Sequence, residues 1–287
     1  MSEPSRLQTE HVVEAINTHR TDPITLDRRF AVGEGAGAYS ITMDTGRAAV
    51  LKWWPVTPDA IRDSRLRVPR INRLRDLGWP IPPLLETGLT PEAVFELWDV
   101  APGQAGVRQP ISASTVSQAI ALLNHAKGAA LGDGLDWPEW LATSIRTAIQ
   151  RAEPGASDPA RDMLLTCQHA LDAAEIAPGK DIIHGDFTPA NCLLDGDRIL
   201  AVIDFDACRD GDGTIDLIGI AQDLEGWDTA DPEAIDHVWQ HVFRRADPET
   251  VRALLAYWVA STLAWATGTE WESHAVETCQ KAWRRVA

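Results

Sequence analysis

The spacing of apolar residues changes near residue 100. Before it, short apolar runs are separated by turn signals: Ile41-Thr42-Met43, a Thr45-Gly46 turn, Ala48-Ala49-Val50-Leu51-Lys52-Trp53-Trp54, and Ala93-Val94-Phe95-Glu96-Leu97-Trp98-Asp99. Such runs predict strands, so mixed β structure is expected up to residue 97. An amphipathic helix over Leu7 to His19, with Val12, Val13 and Ile16 on one side, precedes them. A second helix is expected over Asp59 to Arg70, kinked or shortened by Pro69, which lacks the N–H a helix interior needs. Past Ala101-Pro102-Gly103 the period becomes helical. Val116, Ile120, Leu123 and Leu131 form one stripe, and Asp158-Pro159, Asp231-Pro232 and Asp247-Pro248 mark helix starts. In these pairs Asp accepts from orphan amides and Pro occupies the first turn at no hydrogen-bond cost. Residues 132–137 read as a surface loop, and Trp258 and Trp265, seven apart, read as core on one helix face.

One stretch departs from this plain patterning. His184-Gly185-Asp186-Phe187-Thr188-Pro189-Ala190-Asn191 is followed by the apolar segments 192–194 and 198–203, separated by Asp195-Gly196-Asp197. Asp-Gly between two apolar runs predicts a β-hairpin, because glycine relieves the cost of the positive φ that tight turns demand. A hairpin brings Asn191 and Asp204 to its one open end. Asp186, Asn191 and Asp204 then supply a carboxylate for an acceptor hydroxyl and oxygen ligands for magnesium, the two requirements of phosphoryl transfer. Asp206 is a further candidate beside the metal; Asp210 and Asp212 read as loop residues.

Two N-terminal features suit the same chemistry. Gly33, Gly35 and Gly37 alternate between predicted strands, where bare backbone amides approach phosphates closely. Lys52, at the end of an apolar strand, needs an anion.

Residues His184 to Asp216 closely, and the N-terminal third loosely, resemble the catalytic core of the aminoglycoside phosphotransferase and choline kinase-like family, relatives of the protein kinases. The resemblance implies an α+β, two-lobed protein kinase-like fold, with a small β-rich N-terminal lobe (residues 1–98) and a larger, mostly helical C-terminal lobe (99–287). It implies Asp186 as the catalytic residue, Asn191 and Asp204 as magnesium ligands, and His184 and Asp216 as supports of the catalytic loop. Lys52 stands where the family's strand lysine meets the α- and β-phosphates, and the backbone of Glu96 to Trp98 stands where the adenine edge is read. The family also carries a helix glutamate that fixes the lysine. None occurs over 59–70: Arg67 lies near its place, and Asp59 and Asp63 are the nearest groups of the right sign.

Composition narrows the partners. The 287 residues carry 26 Lys and Arg against 42 Asp and Glu, a formal charge of −16, which disfavours nucleic acid and anionic membranes and favours cationic ligands. No apolar run is long enough to span a bilayer and the polar start has no signal-peptide core, so a cytoplasmic protein is expected. The four cysteines lack metal-site spacing and read as reduced thiols. The cationic acceptor is expected to meet the acidic and aromatic residues after the hairpin, with Asp223, Glu225, Trp227, Asp228, Glu270 and Trp271 as candidates. The leading expectation is a kinase that moves the γ-phosphate of ATP or GTP, with magnesium, onto a hydroxyl of a cationic antibiotic such as an aminoglycoside. A metabolic kinase acting on choline, a sugar or an amino-alcohol, and a catalytically silent pseudokinase, are the alternatives.

Overall fold

In the computed structural model, residues 6–18, 20–30, 38–106, 110–132, 134–227 and 230–287 are described. The chain divides into two compact units, residues 1–69 with 81–102, and residues 70–80 with 103–287.

The first unit contains α1 (Arg6–Asn17), β1 (Ile24–Arg29), β2 (Ala38–Met43), β3 (Ala48–Pro55), the start of α2 (Pro58–Asp76), β4 (Leu84–Leu89) and β5 (Ala93–Asp99). The strands form an antiparallel sheet in the order β1-β2-β3-β5-β4. Side chains alternate across a strand, and Ala49, Leu51 and Trp53 of β3 join Phe95 and Leu97 of β5 in a core with Val12, Val13 and Ile16 of α1. Trp53 Nε1 donates to Thr9 Oγ1 at 3.2 Å, and Asn17 both donates to and accepts from the Ile24 backbone at 2.8 Å, fixing α1 on the sheet. The other face of the same strands carries Val50, Lys52 and Trp54 beside Val94, Glu96 and Trp98.

Helix α2 runs through Pro69 for 19 residues instead of stopping there. The helix is therefore not shortened at the proline, and tertiary anchors lie on either side of it: Arg67 is buried on Glu96 and Arg70 on Asp210, each through its guanidinium. The division between the units falls between these two arginines, at Pro69 and Arg70.

The second unit adds β6 (Gln104–Ala105), α3 (Ala113–His125), α4 (Trp137–Ala152), α5 (Asp158–Ala173), β7 (Asp181–Ile183), β8 (Cys192–Asp195), β9 (Arg198–Val202), β10 (Arg209–Gly211), α6 (Thr214–Glu225), α7 (Pro232–Arg245), α8 (Pro248–Ala266) and α9 (Glu272–Arg284). Asp231 and Asp247 cap α7 and α8 through their carboxylates, as their sequence predicts. Asp158 does not cap α5; it is the first helical residue and pairs with Arg161, while Ser157 holds the cap position. Leu131 lies beyond the end of α3 and is 47% exposed, so the apolar stripe ends at Leu123. The residue-132 loop closes at Asp136, which caps α4, and Trp137 is already buried in the helix. Trp265 is 49% exposed and not core, whereas Trp258 donates through Nε1 to Ile215 O at 2.7 Å. The seven-residue spacing does keep the two tryptophans on one face, but with Ser261 and Thr262 it is the face of α8 that is only partly buried toward its C-terminal end, whereas Val259, Leu263 and Ala266 are buried.

Candidate active site

The hairpin of the second unit forms as predicted, with its turn inside the Asp195-Gly196-Asp197 stretch. Asp195 pairs with Arg198, leaving Gly196-Asp197 as the two central residues. Gly196 has φ 57° and Asp197 does not share it, the pattern of a turn with glycine at its first central position. Asp197 is then tied to α3: its carboxylate accepts from Ser112 Oγ at 2.8 Å and its carbonyl from Gln118 Nε2 at 2.7 Å. At the open end Ile203 N donates to Asn191 O at 2.9 Å, which sets Asn191 beside the start of the Asp204 segment.

The loop before the hairpin is built around two buried groups. Asp216, at the first turn of α6, accepts from His184 N at 2.7 Å with one oxygen and from Gly185 N at 2.9 Å with the other. His184 Nδ1 accepts from Asp186 N at 3.3 Å, so its proton sits on Nε2, which donates to Ile203 O at 2.9 Å. One neutral imidazole therefore links the Asp186 loop to the strand that delivers Asp204. Its ring is packed by Phe205 and Phe187, and Trp79 covers Phe187, with ring centroids 4.5, 5.6 and 5.3 Å apart respectively. Gly185 has φ 81°, and a Cβ there would lie 2.5 Å from Ala207 O, so no other residue fits between His184 and Asp186.

Asn191 Nδ2 donates to both the carbonyl and the carboxylate of Asp186, each at 2.8 Å. This fixes the side-chain amide and leaves its oxygen as the end able to face a cation. Asp204 has φ 65°, the one positive φ among the described residues other than glycine, a conformation that costs free energy and persists where the surroundings impose it. Among the described residues no group of three or more His, Cys, Asp or Glu is gathered to hold a metal. A carboxylate and an amide oxygen instead suit magnesium arriving with nucleotide phosphates, since that ion takes few protein ligands and completes its shell with phosphate and water.

The acidic candidates for the acceptor separate. Asp223, one face of α6 along from Asp216, is half-buried; burial pushes its carboxyl up to about 7, and the charge of Asp186 adds to the rise. The structure thus brings Asp223 into the electrostatic environment of Asp186. Glu225 is taken up internally: its Oε1 accepts from Trp239 Nε1 at 3.1 Å and Arg285 Nε at 2.9 Å. Trp227 is half-buried in the turn after α6. Glu270 is exposed and Trp271 is 53% exposed at the start of α9. Gly33, Gly35, Gly37 and Asp228 lie outside the described residues.

Sequence reasoning missed other neighbours of this loop. Burial raises the Tyr257 hydroxyl, Arg209 opposes the rise, and the charges of Asp186 and Asp216 add to it. Tyr257 packs on Trp140 at 5.5 Å, and the Arg209 guanidinium lies 4.1 Å over that indole while Nε donates to Ala207 O. Nothing in the local pattern marks them, because they come from three separate elements. Asp210, read as a loop residue, is buried on β10, holding Arg70 and accepting from Gly132 N at 2.7 Å. Asp206 is exposed, and Asp212 accepts from Thr214 N at 2.8 Å.

The Asp223 shift has a measurable consequence. An unfolded chain releases this proton near 3.8 and the folded one near 7, so the group's contribution to stability is complete below about pH 4 and is lost as pH rises through 7. Asp223→Asn is therefore expected to melt above the wild type at about pH 8, with the gap narrowing toward pH 4. Thermal melts across this range measure it; a variant that melts lower at pH 8 would contradict the assignment.

In the first unit, Lys52 stands directly opposite Glu96 in the β3–β5 register. Glu96 presents its side chain to α2, while its backbone lies inside the sheet, flanked by β3 and β4, as does that of Trp98. Asp59 and Asp63 are exposed and both engage Arg62.

The phosphotransferase enzyme family matches residues 28–254. This chain belongs to that family. Among solved structures, the phosphotransferase is similar to a thermostable mutant of aminoglycoside phosphotransferase APH(4)-Ia in ternary complex with AMP-PNP and hygromycin B, at 17% identity and TM-score 0.66, covering 96% of this chain and 98% of that one. It is similar to macrolide 2'-phosphotransferase MphH from Brachybacterium faecium, at 19% identity and TM-score 0.57, covering 94% and 97%. It also resembles amicoumacin kinase hAmiN in complex with AMP-PNP, Ca2+ and Ami, at 13% identity and TM-score 0.59, covering 90% and 88%. At these identities the likeness is one of fold. No curated protein matches the chain by sequence. Among the described residues no helix of the phosphotransferase is long and apolar enough to cross a membrane.

Proposed function

We propose that this phosphotransferase acts in the cytoplasm, moving the γ-phosphate of ATP or GTP onto a hydroxyl of a cationic antibiotic, an aminoglycoside or a related compound, and so confers resistance. The observation that carries the reading is the Asp186 carboxylate, held by Asn191 Nδ2 at 2.8 Å within a loop whose two preceding amides are anchored on Asp216. A carboxylate held this way orients an acceptor hydroxyl and receives its proton as the phosphoryl group arrives. Asn191 and Asp204 would hold magnesium, which when bound neutralises phosphate charge. Lys52 and the segment with Gly33, Gly35 and Gly37 would hold the phosphates. Asp223, whose raised carboxyl ionises readily when a cation arrives, is the proposed site for an acceptor ammonium group. The net charge of −16 and the ligands bound in the similar structures, hygromycin B among them, support a cationic antibiotic as acceptor.

The test is a phosphate-transfer screen of aminoglycosides, tuberactinomycin-like peptides, macrolides and choline-like alcohols, with ATP and with GTP. Transfer to a cationic antibiotic is expected. Turnover of choline-like alcohols alone would move the assignment to a metabolic kinase, and no turnover of any nucleotide would remove the kinase reading.

A further inference from the structure

The strand lysine of this chain lacks the helix glutamate that its relatives are expected to use, and the first unit shows what stands there. Arg67 of α2 reaches the face of the sheet that carries Lys52. Its guanidinium carbon lies 4.5 Å from the centroid of Trp54, and its Nε and Nη2 donate to one oxygen of Glu96 at 3.2 and 2.6 Å. The second oxygen of Glu96 accepts from Trp98 Nε1 at 3.0 Å. Glu96 is 1% exposed and Arg67 5%, so both charges are withdrawn from water and each depends on the other. Lys52 shares the assembly: it pairs with Glu96 across the register, and its Nζ lies 5.8 Å from the same Trp54 ring.

The charge order is reversed as a unit. A glutamate at position 67 would face Glu96, placing two carboxylates beside the single cation Lys52. With arginine there, the Glu96 carboxylate holds Arg67 and lies directly across the register from Lys52, and the indole of Trp54 has a cation at each of two approaches. Two cations at one ring repel unless a carboxylate offsets them, and directly cross-strand pairs put Cβ atoms about 5 Å apart, close enough for Glu96 to do so. Resting on the reading of Lys52 as the phosphate anchor, we propose that the stack of Glu96, Arg67 and Trp54 is the positioning group for Lys52, replacing the helix carboxylate with one supplied by the neighbouring strand.

A double-mutant cycle on the full-length chain tests this without an acceptor, using Mg-AMP-PNP binding by calorimetry as the readout. Glu96→Gln is expected to weaken AMP-PNP roughly tenfold when Lys52 is present, the scale of one charge-assisted interaction. In the Lys52→Met background the same change should cost no more than about twofold, because the residue through which it acts is gone. Trp54→Leu, at a half-buried position, should follow the same pattern and serves if Glu96→Gln does not fold. Equal losses in both backgrounds, or none in either, would make the stack a structural ion pair and overturn the inference. Tight AMP-PNP binding that is indifferent to Lys52→Met would remove Lys52 as the anchor and the inference with it, and failure of the wild type to bind would remove the kinase reading as well.

Discussion

Asp186→Ala is expected to lower turnover by about 10²- to 10⁴-fold while leaving nucleotide affinity near the wild-type value, the range a positioned general base contributes. The structure gives this variant an interpretable outcome. Asn191 Nδ2 is held by the Asp186 carbonyl as well as by its carboxylate, so it keeps one of its two anchors after truncation. His184 still accepts from the residue-186 amide, and Asp216 still holds His184 N and Gly185 N, so the loop retains its frame. What is lost is the group proposed to face the acceptor. Steady-state kinetics with the acceptor found by screening, beside an AMP-PNP titration, measures both effects. Unchanged turnover would sink the assignment of Asp186, and a large loss of nucleotide affinity would place it on the donor side instead.

Asp216→Ala is expected to destabilise the fold by about 2–6 kcal/mol, from two buried amide donors that each lose an acceptor at about 1–3 kcal/mol. This is a large share of the roughly 5–15 kcal/mol that holds a domain together. Burial pushes the Asp216 carboxyl up to about 7, the two amides pull it down, the charge of Asp186 pushes it up, and Arg245 pulls it down. The group is therefore held between opposing influences, and its backbone bonds keep it acting as an acceptor. Denaturant unfolding of the variant checks the figure. If the variant unfolds at the wild-type midpoint, Asp216 is not the brace that its two hydrogen bonds describe. Asp216→Asn keeps one acceptor oxygen, and a smaller loss is expected of it.

The segment from His184 to Asp204, proposed as catalytic, was legible in the sequence because its logic is local. A hairpin joins Asn191 to Asp204 through few residues, and a turn glycine between apolar runs is enough to foresee their convergence. The turn falls on Gly196-Asp197, within the predicted Asp195-Gly196-Asp197 stretch, and Asp197 is also held by Ser112 and Gln118 from a helix far away in sequence. Distant contacts of the same kind recur elsewhere. Pro69 reads as a kink or an early end of the helix, yet the helix is not shortened there, and buried arginines on both sides of it find carboxylates at Glu96 and Asp210. Glu225, a candidate for a cationic acceptor, is bonded to Trp239 and Arg285, partners from α7 and the end of α9 that the local sequence does not mark. Trp140, Arg209 and Tyr257 carry no mark in their own neighbourhoods, since only the packing of α4, β10 and α8 brings them together.

What the amino-acid sequence determined by itself is the order of elements and the motif of proposed catalytic and metal-binding residues, because periodicity, turn chemistry and short spacing act over a few residues. It also showed that α2 has no glutamate for Lys52, an absence visible without coordinates. Tertiary structure alone decided what stands in its place. The Glu96 carboxylate lies 29 residues from Arg67 along the chain, and only strand register and helix packing bring it to the face that Lys52 occupies. Charge pairing in a buried site depends on such distant neighbours, since it is the withdrawal from water, and not the local sequence, that makes each charge require its partner.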